Sequence, residues 1–204
     1  GWVLAAVGRS WDQYVLIGLR MKVYRVRPDV NRFQYFMFEN GSDALSDSMT
    51  FDGSSGKSET WVPPAVFIYA PKHKKGNFLE LWGTGSLVVD EIALNQLRDL
   101  LEMSGELLPL PHKGSMYHVL NVTECFNILD EDRTQWLYEP GSGPIKSYAF
   151  HANRFSESPL FKIPETCRID ILTIEGMKDP DDEFKPRVEK LGLTGLVFEL
   201  WSDE

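Results

Sequence analysis

The sequence predicts an α+β fold, with mainly antiparallel sheet or sheets and a few packed helices. Short stretches with the period-2 alternation of half-buried strands outnumber helical ones. The connections between them are short, as antiparallel pairing requires. One stretch, Asp90–Ser104, carries apolar residues at helical spacing and supplies a helix to cover a sheet.

Taken in order, Met21–Arg27 (MKVYRVR) alternates apolar and basic residues and reads as a strand, and Arg32–Phe38 reads as a more aromatic one. Residues 41–60 are rich in Gly, Ser and Asp and predict a long loop. Val66–Tyr69 is a buried-strand run, Lys72–Lys75 a basic turn, and Phe78–Trp82 and Ser86–Val89 two more strands. In the helix, Asp90 serves as N-cap and Glu91 faces the positive end of the dipole. Ile92, Ala93, Leu97, Leu100, Leu101 and Met103 form its packing face, and Gly105 ends it. Beyond it, Glu106–Leu110 and Met116–Asn121 read as strands, and 123–132 as a short helix capped by Thr123. Ile145–His151, Leu160–Ile163, Arg168–Thr173 and Leu196–Trp201 follow as strands. Asp179–Leu191 is a charged helical segment that either starts near Pro186 or is irregular there. Three parts result: an N-terminal extension, 1–20, whose Tyr14–Leu19 has the composition of an added strand; a β-rich part, 21–85; and an α+β part, 86–204.

The 204 residues include 43% hydrophobic and 25% charged residues, the balance of a chain that buries a core. The formal charge of −9 is uneven. Residues 1–75 hold 10 Lys+Arg against 7 Asp+Glu, whereas residues 76–204 hold 11 against 23. An acidic field of this size repels nucleic-acid phosphates and attracts a basic partner. Two lone cysteines, Cys125 and Cys167, form no disulfide framework and point to a reducing cytoplasm. The apolar stretch Trp2–Val7 is too short for a membrane span and lacks the basic flank of a signal peptide.

Asp52-Gly53-Ser54-Ser55-Gly56-Lys57-Ser58 ends like a phosphate-binding loop. That motif needs a glycine where this chain has Phe51 and a helix where it has Trp61-Val62-Pro63-Pro64, so nucleotide binding is rejected. His73, His112, His118 and His151 have no metal-ligand spacing, and neither a metal nor another cofactor is expected. A catalytic site would have to be assembled in space, for example from Cys125 with His118 or His151. The acids Asp130, Glu131 and Asp132, and Asp179, Asp181, Asp182 and Glu183, are the candidate partner-binding residues. The second group also suits the positive end of a helix.

Three segments carry a family resemblance. One is Gly105-Glu106-Leu107-Leu108-Pro109-Leu110 after the Leu-rich helix. Another is Leu120-Asn121-Val122-Thr123 with Ile128-Leu129-Asp130. The last runs from Pro159-Leu160-Phe161-Lys162-Ile163-Pro164 through Phe184 and Val188 to Gly192-Leu193-Thr194-Gly195-Leu196-Val197-Phe198. In this order they resemble a bacterial immunity-protein family of polymorphic toxin systems, first described as a domain of unknown function. The match covers 86–200, with Met21–Asp29 similar to the family's opening and Pro186 departing from its pattern. The resemblance implies a non-enzymatic protein that binds and neutralises a cognate toxin, and the charge suits a basic one. The alternatives are an enzyme with a scattered site and a structural or adaptor protein.

Overall fold

The structure, a computed structural model, describes residues 2–6, 14–18, 20–141 and 143–204. Strands β1 (Trp2–Ala6) and β2 (Tyr14–Gly18) pair antiparallel as a two-stranded sheet, so the strand expected in the extension is present. Leu19, expected to end it, lies outside the described residues. Strands β3 (Lys22–Pro28), β4 (Tyr35–Phe38), β5 (Val66–Tyr69), β6 (Phe78–Leu81) and β7 (Ser86–Val89) follow. Helix α1 (Glu91–Ser104) leads into β8 (Gly105–His112) and β9 (Ser115–Val122). The two short strands β10 (Gln135–Trp136) and β11 (Ile145–Ser147) pair with each other. The chain then runs through β12 (Ile171–Glu175) and α2 (Phe184–Lys190) to β13 (Leu196–Asp203). This is the expected α+β class.

A six-stranded sheet, ordered β5-β4-β6-β7-β9-β8, is antiparallel except for a single parallel contact between Phe36 of β4 and Leu81 of β6. A three-stranded antiparallel sheet, β12-β3-β13, has the first strand after residue 20 at its centre. The boundary at 85/86 between the β-rich and the α+β part lies within the large sheet. It cuts the antiparallel pair β6–β7, and β3 is held by strands from the far end of the chain.

The period-2 pattern explains the layers. On one face of the large sheet Phe36, Leu79, Leu81, Val88, Leu108 and Val119 close over Met49 and Phe51 of the long loop. On the other, Phe78, Leu87, Val89 and Leu120 meet α1, α2 and Val26 of β3. Val23 of β3 enters a third cluster with Ile128, Phe150, Phe161 and Leu172, so β3 is packed on both sides.

Asp90 caps α1 as expected, accepting from the Ala93 amide at 2.7 Å. The buried face of the helix is Ala93, Leu94, Leu97, Leu100 and Leu101, closed by Ser104. Ile92 and Met103, expected on that face, are exposed because they fall on its outer edges. Gly105 lies against β9 so closely that an added Cβ would stand 2.0 Å from the Asn121 carbonyl oxygen.

The helix expected at 123–132 is absent. Its backbone is drawn off by partners across the fold: Phe126 N–H donates to the Lys162 carbonyl at 2.9 Å and Asp130 N–H to Ala149 at 2.9 Å. The strand expected at 168–173 begins instead at Ile171, because Cys167 and Arg168 both adopt left-handed backbone, with φ of 53° and 56°. Ile145–His151 and Leu160–Ile163 are shorter than expected and contribute mainly isolated bridges beyond β11. Pro186 is the third residue of α2, where the missing N–H has no intrahelical acceptor to lose. Among the described residues no helix is long and apolar enough to cross a membrane.

The glycine-rich loop that imitates a phosphate cradle holds a carboxylate of its own chain. Lys57 and Ser58 amides donate to Glu106 at 2.6 and 3.1 Å, and Asn121 Nδ2 joins the same carboxylate at 2.8 Å. Gly53 has φ of +74° and packs where a Cβ would meet the Val122 carbonyl oxygen at 2.0 Å. Burial pushes the Glu106 carboxyl up, but the donated hydrogen bonds outweigh it and hold the group below its ordinary 4.5. The loop's anchorage is therefore complete above pH 4.5 and is lost as the pH falls through the lower folded value. Replacing Glu106 by Ala should lower unfolding free energy by about 1–3 kcal/mol. It should also speed amide exchange at Lys57 and Ser58 by about ten-fold or more, both readable by hydrogen-exchange NMR.

Candidate functional site

The alternation of β4, β5 and β6 that buries Phe36, Ile68 and Leu81 turns Tyr35, Met37, Phe67, Tyr69, Glu80 and Trp82 to the opposite face. At this end of the sheet that face carries a row of rings. Tyr35 lies between Tyr69 and Trp82, with ring centroids 5.2 and 5.1 Å away. Tyr69 and Trp82 remain 48% and 46% exposed, and Phe67 is exposed beside them. Aromatic area left open to water in a contiguous row is unusual for a surface that meets only solvent.

Beside the row, β6 and β3 bound a cleft of about 230 Å³, lined by Arg25, Arg27, Val30, Glu80, Trp82, Gly85, Ile169 and Asp170 among others. Arg25 pairs with Asp170 at 2.6 Å and approaches Glu199 at 3.6 Å; Arg27 reaches Glu199 at 3.8 Å. Burial pushes the Asp170 carboxyl up, against the pull of Arg25. Glu80 has neither an ion pair nor a hydrogen bond among the described residues, and burial alone pushes its carboxyl up. Sequence reading missed this group. The signal available was Glu80 between Leu79 and Leu81, with Trp82 two residues on and so on the same side of the strand.

The seven acids expected to meet a partner divide sharply. Glu183 is 3% exposed and accepts from the amides of Gly176, Met177 and Lys178 at 2.9, 2.7 and 2.9 Å. It fastens the turn after β12 and is no surface contact, which corrects the expectation. Asp130 is likewise buried, accepting from Arg133 Nε at 2.7 Å and lying 3.5 Å from His151 Nδ1. The Arg133 hydrogen bonds hold its carboxyl below the usual range. Asp179 caps the turn Pro180–Asp182 through the Asp181 amide, and Asp181 pairs with Lys190 at 2.7 Å. The acid run thus forms a separate turn ahead of α2. Glu131, Asp132 and Asp182 are exposed. Asp181 and Asp182 share a shallow depression with Asp99, Arg187 and Lys190.

Among the described residues no hydrogen bond joins Cys125 to His118 or His151. Cys125 has Arg168, Glu165 and Lys162 as its charged neighbours, His118 has Arg98, and His151 faces Asp130. No group of three or more His, Cys, Asp and Glu among the described residues has the arrangement of a metal site. Asn121, which opens the Asn-Val-Thr glycosylation pattern, is fully buried.

The chemically unusual group is Lys162. It is 2% exposed and its Nζ donates to the Phe51 carbonyl oxygen. Burial depresses its pKa to about 8, against the opposing pull of Asp52. An amine of this acidity is a nucleophile when substrate can reach it. Here the ammonium is enclosed and spent on a backbone carbonyl, so it ties the long loop to the segment beside Cys125. Compared with protein-family models, with curated proteins and with solved structures, the chain matches none of them.

For Lys162 the unfolded chain binds more protons than the fold between pH 8 and 10.5, so stability rises with pH across that window. Urea unfolding should show wild type gaining on a Lys162→Met variant over this range. The full gain is about 3 kcal/mol, with the gap constant below pH 7.

Proposed function

We propose that this chain is a non-catalytic protein-binding protein, an immunity protein that neutralises a cognate bacterial toxin by stoichiometric association. The observation that carries the reading is the exposed row Tyr69–Tyr35–Trp82, flanked by Phe67 and by the exposed Ile169 at the cleft. Large aromatic side chains on a rigid sheet face lose little conformational entropy on binding and are the usual anchors of protein interfaces. The family resemblance of residues 86–200 supports the toxin as partner. The formal charge of −9 supports a basic one, because complementary charge speeds encounter and sets orientation.

The chemistry that would favour an enzyme is committed to the framework. Lys162 is enclosed, Cys125 makes no hydrogen bond to a histidine among the described residues, and Asp130 and Glu183 hold turns together. The working compartment under this reading is the cytoplasm, where the free Cys125 and Cys167 stay reduced.

Co-expression with the toxin-like product of a neighbouring gene tests the proposal. Growth should be rescued, and the two proteins should co-elute as a complex of fixed stoichiometry. Trp82→Ala should weaken that complex by about ten-fold or more, whereas Asp182→Lys should act chiefly on the association rate and its salt dependence. Absence of both rescue and complex with every neighbouring toxin candidate would overturn the reading.

A further inference from the structure

We infer that the cleft beside the aromatic row is a receptor for one cationic side chain, an arginine or lysine projecting from the partner protein, with Glu80 as its counter-charge and Trp82 as its wall. The inference rests on reading this face as a protein-binding surface and names the contact that anchors it.

The charges in the cleft lead to this assignment. Its two guanidiniums, Arg25 and Arg27, are engaged by Asp170 and Glu199. Glu80 and Asp170 face the two arginines in the lining, Glu199 pairs with them from outside it, and Glu80 is the carboxylate without an ion-pair partner among the described residues. A carboxylate partly withdrawn from water without a partner is costly, and a framework role would have given it hydrogen-bond donors. Glu106 and Glu183 show how this chain treats structural carboxylates, since each receives two or more backbone amides.

The neighbours of Glu80 decide the sign and shape of the occupant. Trp82 lines the same cleft and stacks on Tyr35, whose own hydroxyl is held protonated by burial and by the nearby Tyr69 and Glu80. A carboxylate beside electron-rich ring faces attracts a cation twice, by ion pairing and by the ring quadrupole. An anion would meet Glu80 and find Arg25 already paired with Asp170 at 2.6 Å. The volume of about 230 Å³ admits a side chain, and the row beyond it offers apolar contact to the residues that flank it. These features together favour a side chain carried by a protein over a free small cation.

The test needs no toxin. The full chain is titrated with N-acetyl-arginine amide and with the uncharged N-acetyl-citrulline amide, followed by NMR at the Trp82 indole and the Glu80 carboxyl. The arginine probe should shift both signals saturably with a Kd of about 1–10 mM. The citrulline probe should bind roughly ten-fold more weakly or not at all. Glu80→Gln, which preserves shape, should remove the preference, and Trp82→Leu, at an exposed position, should weaken the arginine probe independently. Equal response to both probes, or a preference that survives both substitutions, would overturn the inference. A tetramethylammonium arm reads the free-cation alternative: binding as tight as the arginine probe would assign the cleft to small cations and likewise overturn the side-chain assignment. Cation binding without toxin rescue would remove only the immunity reading; rescue without it would remove only this one.

Discussion

The placement of β3 between β12 and β13 is the constraint on which the rest of the molecule depends. Val26 pairs with Ile171 on one side and Phe198 on the other, so residues near both ends of the described body close on one strand. Closing so long a loop is entropically costly, and the contact must be held by burial on both faces. Val23 and Val26 supply it, the first in the cluster with Phe161 and Leu172, the second in the cluster with Phe78, Leu97 and Phe184. The same strand carries Arg25 and Arg27 into position against Asp170 and Glu199. The cleft therefore forms only when β3 has met β12, and its charge balance is set by strands that are distant in sequence.

The polar anchors divide the acids into two populations with different work. Those that receive several donors, Glu106, Asp130 and Glu183, fasten loops to strands and are withdrawn from water. Those on the outside, such as Asp132 and Asp182, face solvent, and surface pairs like Asp181–Lys190 contribute little to stability. The charge of −9 is thus only in part a property of the surface available to a partner. Under the proposed binding role, its outward share would steer a basic partner over distances of about a Debye length, ~8–10 Å at ordinary ionic strength, while the aromatic row would supply contact.

Local pattern made much of the fold legible. The alternation of β3, the Asp90 cap and helical spacing of α1, and the stop at Gly105 are each written within a few residues. What escaped depends on partners far along the chain. Residues 123–132 have helix-compatible composition, yet Lys162 and Ala149 take their backbone hydrogen bonds and leave them extended. The same holds for the site. Asp130 and Glu183 carry no local mark that separates a buried anchor from an exposed acid. Glu80, by contrast, stands between two leucines of a strand, and its significance follows only when β4 places Tyr35 and β3 brings Arg25 alongside.

Rigidity in the framework holds the exposed aromatic face in place. Lys162 bears the cost of an enclosed charge to hold the Phe51 carbonyl, and Glu106 collects the amides of Lys57 and Ser58. Both devices fix the long loop over the Phe36–Leu81 core, on the side of the sheet opposite the aromatic row. With that side closed, the strands β4, β5 and β6 cannot turn Tyr35, Tyr69 and Trp82 inward, because one step of register would bury Glu80 and expose Leu79 and Leu81. The chain accepts open aromatic area on one face as the consequence of a packed other face, and the proposed binding role would turn that consequence into use.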